Sequence, residues 1–203
     1  MPKIIDKEEK RQAILIAAMK VFAQKGIANT KMTDIADAAG IGKGTIYEYF
    51  RNKEEIFQAS YSVFMESMEA TIAQRIFKIT DPVEKLKALF RAMTETFAGS
   101  GADFMDMMLD FWAEAVRQKD ESKIKIVDLH KIYADFRQII GAILDEGIRL
   151  GKFKHMNTFM AASIMIGAMD GIMLQWIMDR KNFNANEAVE CFLNELLAGI
   201  YIT

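Results

Sequence analysis

The 203-residue chain is 51% apolar, carries 26 Lys and Arg against 28 Asp and Glu, and has one cysteine. That size and apolar share allow a substantial core, in one domain or in a small domain plus a larger one. A formal net charge of -2 by itself argues against an electrostatically driven nucleic-acid binder, and the lone Cys191 excludes an intrachain disulfide, which suits a reducing cytoplasm.

The amino end, MPKIIDKEEKRQ, has no continuous apolar core, so no secretory leader is expected there. Ile14, Ala17, Ala18, Val21 and Phe22 fall at i, i+3, i+4, i+7 and i+8, which predicts a helix ending at Lys25-Gly26. Met32, Ile35, Ala36 and Ala39 repeat the spacing. Thr30 or Lys31 precedes this second helix, and Thr30 is the better cap, because its hydroxyl can accept a first-turn N–H. Gly40 then takes the position past the helix end, where left-handed backbone is cheap only for glycine.

A third helix starts near Gly42 or Lys43, with Ile46 and Phe50 on its inner face and Gly44 and Glu48 close to the opposite one. Gly44 costs about 1 kcal/mol of helix stability against Ala. A glycine there makes sense where a base edge or phosphate approaches the backbone closely. Lys43 supplies charge, Thr45 a short donor and acceptor, and Tyr47 and Tyr49 flanking phenols. Lys53 opens the next helix, whose first N–H groups favour a phosphate. Two short helices joined by a tight glycine turn place one of them in a DNA major groove. A purely structural three-helix unit would need Ile46 and Phe50 but has little use for Gly44 or an outward Tyr47. Residues 1–60 hold ten Lys and Arg against eight Asp and Glu. Affinity must therefore come from a few placed contacts, doubled by dimerisation.

The stretch T-x-x-x-D-I-A-x-x-A-G-I-x-K-G-T-I-Y-x-Y-F-x-N-K-E resembles the DNA-binding domain of the TetR family of bacterial transcriptional repressors, closely over about residues 10–60. The resemblance implies an all-helical homodimer of two-domain chains, released from a DNA operator when a small ligand binds. Carried over by position, Thr30, Lys31, Tyr47, Tyr49 and Lys53 would touch phosphates. Lys43, Gly44 and Thr45 would lie nearest the bases. Gly42 stands where the family commonly has Ser, so a side-chain cap is lost. Glu48 occupies a variable position and is left out of the set, since an acid there is repelled by phosphate unless it accepts from a cytosine amino group.

Beyond Lys53 the periodicity predicts five further helices, apart from the uniformly apolar run 156–178. Phe57, Tyr61, Phe64, Met68 and Ile72 stripe a long helix to about Lys78, roughly 37 Å of lever. Thr80-Asp81-Pro82 reads as a cap and first helical position, before Val83, Leu86, Phe90, Met93 and Phe97. Gly99-Ser100-Gly101 breaks that helix. Phe104, Met107, Met108, Phe111, Trp112 and Ala115 then form a face, with Asp103, Asp106, Asp110 and Glu114 opposite. That acidic row reads as solvated: a di-metal bundle site wants Glu-x-x-His pairs, and neither His130 nor His155 has Glu three residues earlier. Leu129, Ile132, Tyr133, Phe136, Ile140, Ile143 and Leu144 mark a helix ended around Gly147–Gly151.

Residues 156–178 are nearly all apolar and about long enough to span a bilayer. Asp170, Gln175 and the amphipathic helices around them favour a buried or subunit-interface helix instead, and no membrane partner is expected. Val189, Phe192, Leu193, Leu196, Leu197 and Ile200 complete the chain, with Cys191 as a partly buried small residue. Strand signals are nearly absent. The expected fold is all-α: a three-helix helix-turn-helix domain over residues 1–53 and a helical effector-binding and dimerisation domain over 54–203.

No nucleophile motif, phosphate loop or zinc spacing is present, so neither catalysis, cofactor nor metal is expected. Fifteen methionines, most of them in the larger domain, suit an adaptable apolar pocket, and ordinary core packing accounts for them as well. The resemblance places the pocket among residues 54–180 and implies an apolar effector. Its candidate lining is Phe64, Met68, Phe90, Met93, Phe97, Met108, Phe111, Trp112, Phe136, Ile140, Met169 and Trp176. The segment Ile143–Trp176, with its E-G-I-x-x-G and late Trp, also resembles fatty-acyl-responsive members. The last two helices are the dimer candidates: Ala161, Ala162, Gly167, Ala168 and Gly171 permit close approach, and Phe192, Leu196 and Ile200 offer an apolar face. The rival reading is a helical small-molecule carrier whose helix-turn-helix is non-functional.

Overall fold

The computed structural model describes residues 7–118 and 129–201. Within that range the side chains of Ser100, Trp112, Glu114, Ala115, Val116, Gln118 and Leu129 lie outside the described residues. The described residues form nine α-helices: α1 Lys7–Lys25, α2 Met32–Ala38, α3 Lys43–Tyr49, α4 Lys53–Ile76, α5 Pro82–Glu95, α6 Ala102–Gln118, α7 Leu129–Arg149, α8 Thr158–Met178 and α9 Ala185–Ile200. Their only β feature is an isolated bridge between Phe153 and Tyr201.

Local chemistry sets most of the helix ends. The Asp81 carboxylate accepts from the N–H groups of Val83 and Glu84 at 2.8 and 3.2 Å, with Pro82 first in α5. A π-helical turn, Thr96–Ser100, follows α5 and leaves helical geometry at Gly99 (φ −106°, ψ −110°), at the expected break. Asn157 caps α8 and Asn184 caps α9.

The chain packs as two compact units. In the first, residues 7–67 and 101–118, α1 packs on α2 and α6, and α2 on α3. Its core holds Ile14, Leu15, Ala18, Phe22, Ile35, Ile46, Ile56, Phe57 and Met107. Phe57 meets Phe22 edge-on at 6.3 Å and stacks on Phe111 at 4.4 Å, while Phe64 stacks on Phe104 at 3.7 Å. Burying each fully enclosed ring is worth about 1.5–3 kcal/mol, so α6 is firmly joined to α1 and the start of α4.

In the second unit, residues 68–100 and 129–201, α7 packs along α8, and α5 lies against α7 and α9. Leu86, Leu89, Phe90, Ile140, Leu144, Met165, Met169 and Leu193 fill its core. α7 ends at Arg149, within the expected Gly147–Gly151. A Cβ at Gly147 would fall 2.0 Å from the Phe153 ring, so this glycine opens the slot in which Phe153 is buried. The left-handed stop is Gly151, at φ +68°. The residues that follow are tied to the end of α9: Lys154 N–H donates to Ile200 O at 2.8 Å, and Phe153 pairs with Tyr201. Lys152 pairs with Asp81, which holds the Asp81 carboxyl below its ordinary range.

Of the described helices, α8 alone is long and apolar enough to cross a membrane. Its Ala162, Met165, Ile166, Met169, Met173 and Trp176 nevertheless pack into the core, as expected of a core or interface helix. Cys191, expected to be partly buried, is exposed: α9 turns Val189, Leu193 and Leu197 inward and leaves the thiol outside.

Candidate nucleic-acid interface

The helix-turn-helix is built as its sequence anticipates, with two corrections. At the end of α2, Gly40 takes φ +66°. Its N–H donates to Asp37 O at 3.1 Å and the Ile41 N–H to Ala36 O at 3.0 Å, the paired bonds of a Schellman stop. Gly42 opens α3 in extended backbone without a side-chain cap. Ile46 and Phe50 are buried and clamp α3 to the core; the guanidinium of Arg11 lies 5.4 Å from the Phe50 ring centre.

The outward side of α3 presents Lys43, Gly44, Tyr47 and Glu48, all exposed, with Thr45 and Tyr49 half-buried at its flanks. A Cβ on Gly44 would meet nothing within 4 Å. Nothing inside the protein therefore requires glycine there, and the open space is available to an outside partner. A groove of about 550 Å³ runs between α1 and the α2–α3 turn, lined in part by Lys10, Ile14, Gly40, Gly42 and Thr45.

The first correction is Thr30. It neither caps α2 nor faces outward: it is 2% exposed, and its hydroxyl donates to Gly26 O at 2.7 Å. The cap position belongs to exposed Lys31, whose N–H is taken by Asp34 at 2.9 Å. That bond, followed by Lys25 at 3.1 Å, holds the Asp34 carboxyl below its ordinary range.

The second correction is Lys53. Its ammonium donates to the carbonyls of Ile27, Ala28 and Thr30 at 2.6, 2.8 and 3.0 Å. An ammonium has three protons, so the side chain is committed to backbone and does not reach out to a phosphate.

Sequence reasoning missed Asp110. Asp110 is exposed, as expected of the acidic row, and it also accepts the Ile27 N–H at 3.1 Å, a contact across 83 residues that no local pattern announces.

The candidate effector lining is distributed over both units. In the first unit Met108 and Phe111 are buried and Phe64 is half-buried. In the second, Met68, Phe90, Met93, Phe136, Ile140, Met169 and Trp176 are buried and Phe97 is half-buried. Thr94 is buried among them, its hydroxyl bonded to Phe90 O at 2.8 Å and 3.9 Å from the Met169 sulfur. Trp112 was named with this set and falls outside the described side chains. Tyr133 on α7 donates to Asp170 on α8 at 2.9 Å; burial, and then the Asp170 charge, push its phenol up to about 12.

A second exposed surface has the opposite character. Along α8, Met160, Ile164, Leu174 and Met178 are 50–78% exposed. With Gly167 and Gly171 they recur at alternating spacings of four and three, the spacing of positions that share one helix face. A Cβ on either glycine would meet nothing within 4 Å. Ala162, expected on this face, is buried in its own chain, and Phe192 leans on Phe90 at 5.8 Å.

Residues 14–60 match the profile of bacterial regulatory proteins of the tetR family, and residues 82–199 match that of the BetI-type transcriptional repressor C-terminal domain. The chain is 29% identical over 201 residues to the fatty acid metabolism regulator protein of Bacillus subtilis, spanning 96% of this chain and 97% of that one. The structure of FadR from Bacillus subtilis in complex with stearoyl-CoA superposes with a TM-score of 0.71 at 26% identity, covering 94% of this chain and 99% of that one. A transcriptional regulator from Saccharomonospora viridis in complex with choline superposes at 0.83 over 97% and 100%; at 23% identity this likeness speaks for the fold alone.

Proposed function

Because the chain belongs to the tetR family of bacterial regulatory proteins and is a transcriptional regulator, not an enzyme, we propose that it is a ligand-responsive repressor. As a homodimer it binds a pseudo-palindromic operator in the cytoplasm, and a small apolar effector releases it. The observation that carries this reading is α3: its inner face is locked by Ile46 and Phe50, while its outer face offers Lys43, an unobstructed Gly44 backbone and Tyr47.

In this reading Lys43, Gly44 and Thr45 lie nearest the bases, and Lys31, Tyr47 and Tyr49 hold phosphates. Thr30 and Lys53 hold the turn behind them instead. Residues 1–53 do the reading and 54–203 the sensing and pairing. The seam on α8, with α9 beside it in sequence, joins two copies and so sets the spacing of two reading helices. The buried Phe and Met side chains, and the stearoyl-CoA bound by the Bacillus subtilis relative, support an effector with a long acyl chain. Such a ligand shifts the balance only by its differential affinity for the DNA-competent and released states.

A gel shift against the DNA upstream of the chain's own gene tests this. A repressor forms a sequence-selective complex whose affinity falls steeply with salt and which stearoyl-CoA dissolves. A complex with no preference over random DNA would leave the carrier reading in its place.

A further inference from the structure

The turn Gly26–Thr30, between α1 and α2, is held by charged side chains from two other helices. Gly26 is left-handed at φ +75°, and Ile27 behind it is buried. The peptide groups of this turn are bonded from both sides. Asp110 Oδ2 on α6 takes the Ile27 N–H, and Lys53 Nζ on α4 donates to the Ile27, Ala28 and Thr30 carbonyls. Ile27 is thus gripped through its N–H by an anion and through its C=O by a cation.

The grip depends on the glycine beside it. A Cβ at Gly26 would lie 2.8 Å from Asp110 Oδ2 and 3.3 Å from its carboxyl carbon and second oxygen, so any larger residue would push the carboxylate away. Backbone hydrogen bonds to ionised groups are about twice as strong as neutral ones, so this turn is stiffer than its length suggests.

We propose that Asp110 is a positioning residue for DNA reading. With Lys53 it forms a two-sided clamp that converts the separation of α4 and α6 into the orientation of α2 and α3. This deepens the repressor reading and rests on it. A change in the α4–α6 distance pulls on the two peptide groups that flank a single residue, Ile27, and the turn leads within two residues into α2. Asp110 touches no base or phosphate in this account; its influence passes through backbone.

The test uses the full-length chain and its Asp110→Ala and Asp110→Asn variants. Each is titrated against a duplex that the wild type selects from a random-sequence pool, and against an unselected duplex of equal length. For Asp110→Ala, affinity for the selected duplex is expected to fall about tenfold while affinity for the unselected duplex stays within about twofold. Asp110→Asn keeps an oxygen acceptor and should recover most of the loss. Exchange of the Ile27 amide, followed without DNA, should quicken at least about tenfold in Asp110→Ala.

An unchanged ratio of the two affinities, or their equal fall, would overturn the proposal, because a merely destabilised fold loses both together. Unchanged Ile27 exchange would overturn it too. A wild type that selects no duplex, with Ile27 exchange still dependent on Asp110, would instead sink the repressor reading and leave a clamp without a reading role.

Discussion

The outer faces of α3 and α8 are both exposed, and both helices are anchored by buried opposite faces, but what they expose differs in kind. α3 shows an ammonium, a bare glycine backbone and a phenol; α8 shows Met160, Ile164, Leu174 and Met178 around two glycines. The polar face carries groups suited to phosphate and base edges. The apolar face gains only by leaving water, which calls for another protein surface of the same character. Exposure alone does not identify a partner; the chemistry exposed separates the kind of partner each face suits.

The largest expected effect comes from breaking the apolar surface. Ile164→Glu buries an unpaired charge in any α8–α8 seam. Light scattering should report monomers, and operator affinity should fall about 100-fold or more as the second reading head is lost. A dimer that persists would remove α8 from the interface.

Lys43→Glu breaks the polar surface. It should lower operator affinity at least about tenfold and reduce the dependence of log affinity on log salt by about one or two units. Wild-type affinity would count heavily against the proposed docking of α3.

Gly44→Ala sharpens the contrast, because it separates folding from binding. Open space around Gly44 means that alanine should stabilise the folded chain, by about 1 kcal/mol from helix propensity. The same methyl group should weaken operator binding several-fold by crowding the DNA. A variant that gains stability and keeps full affinity would show that nothing approaches this backbone closely.

The smallest effect concerns Asp170, the one ionisable group on α8. The residue is exposed as a whole, yet its carboxylate is partly withdrawn from water beside Tyr133, and that desolvation raises its pKa above the ordinary value. A raised carboxyl favours the folded state only while protonated, so that contribution is complete in acid and is lost as pH climbs through the folded-state value. Asp170→Asn should accordingly melt higher than wild type at neutral pH, on the order of 1 °C given solvent screening, and show no advantage near pH 3. A gain of equal size at both pH values would assign the effect to something other than ionisation.

Much of the fold is legible because its causes lie a few residues apart. Ile14 to Phe22 bury themselves as their spacing predicts, Gly40 turns left-handed where α2 must stop, and Asp81-Pro82 starts α5. The roles of α3 are legible for the same reason: Ile46 and Phe50 face inward and Gly44 outward on a helix of known period. Thr30 misleads because hydroxyls serve backbone donors and acceptors alike, and only the folded turn brings Gly26 O within its reach. Lys53 misleads because a lysine at a helix start near DNA suggests a phosphate, whereas three carbonyls 23 to 26 residues earlier occupy it. The end of α7 falls where Gly147 and Gly151 place it, but that Gly147 also opens the slot for Phe153 is visible only in the fold.

Periodicity, caps and turn glycines, written into consecutive residues, were enough to determine an all-helical chain with a helix-turn-helix near its start. What only the tertiary structure decided is which charged and polar groups remain available to a partner. Asp110 meets Ile27 across 83 residues and Lys53 meets the α1–α2 turn, because a buried or turning backbone must find hydrogen-bond partners and accepts whichever charged group the fold brings near.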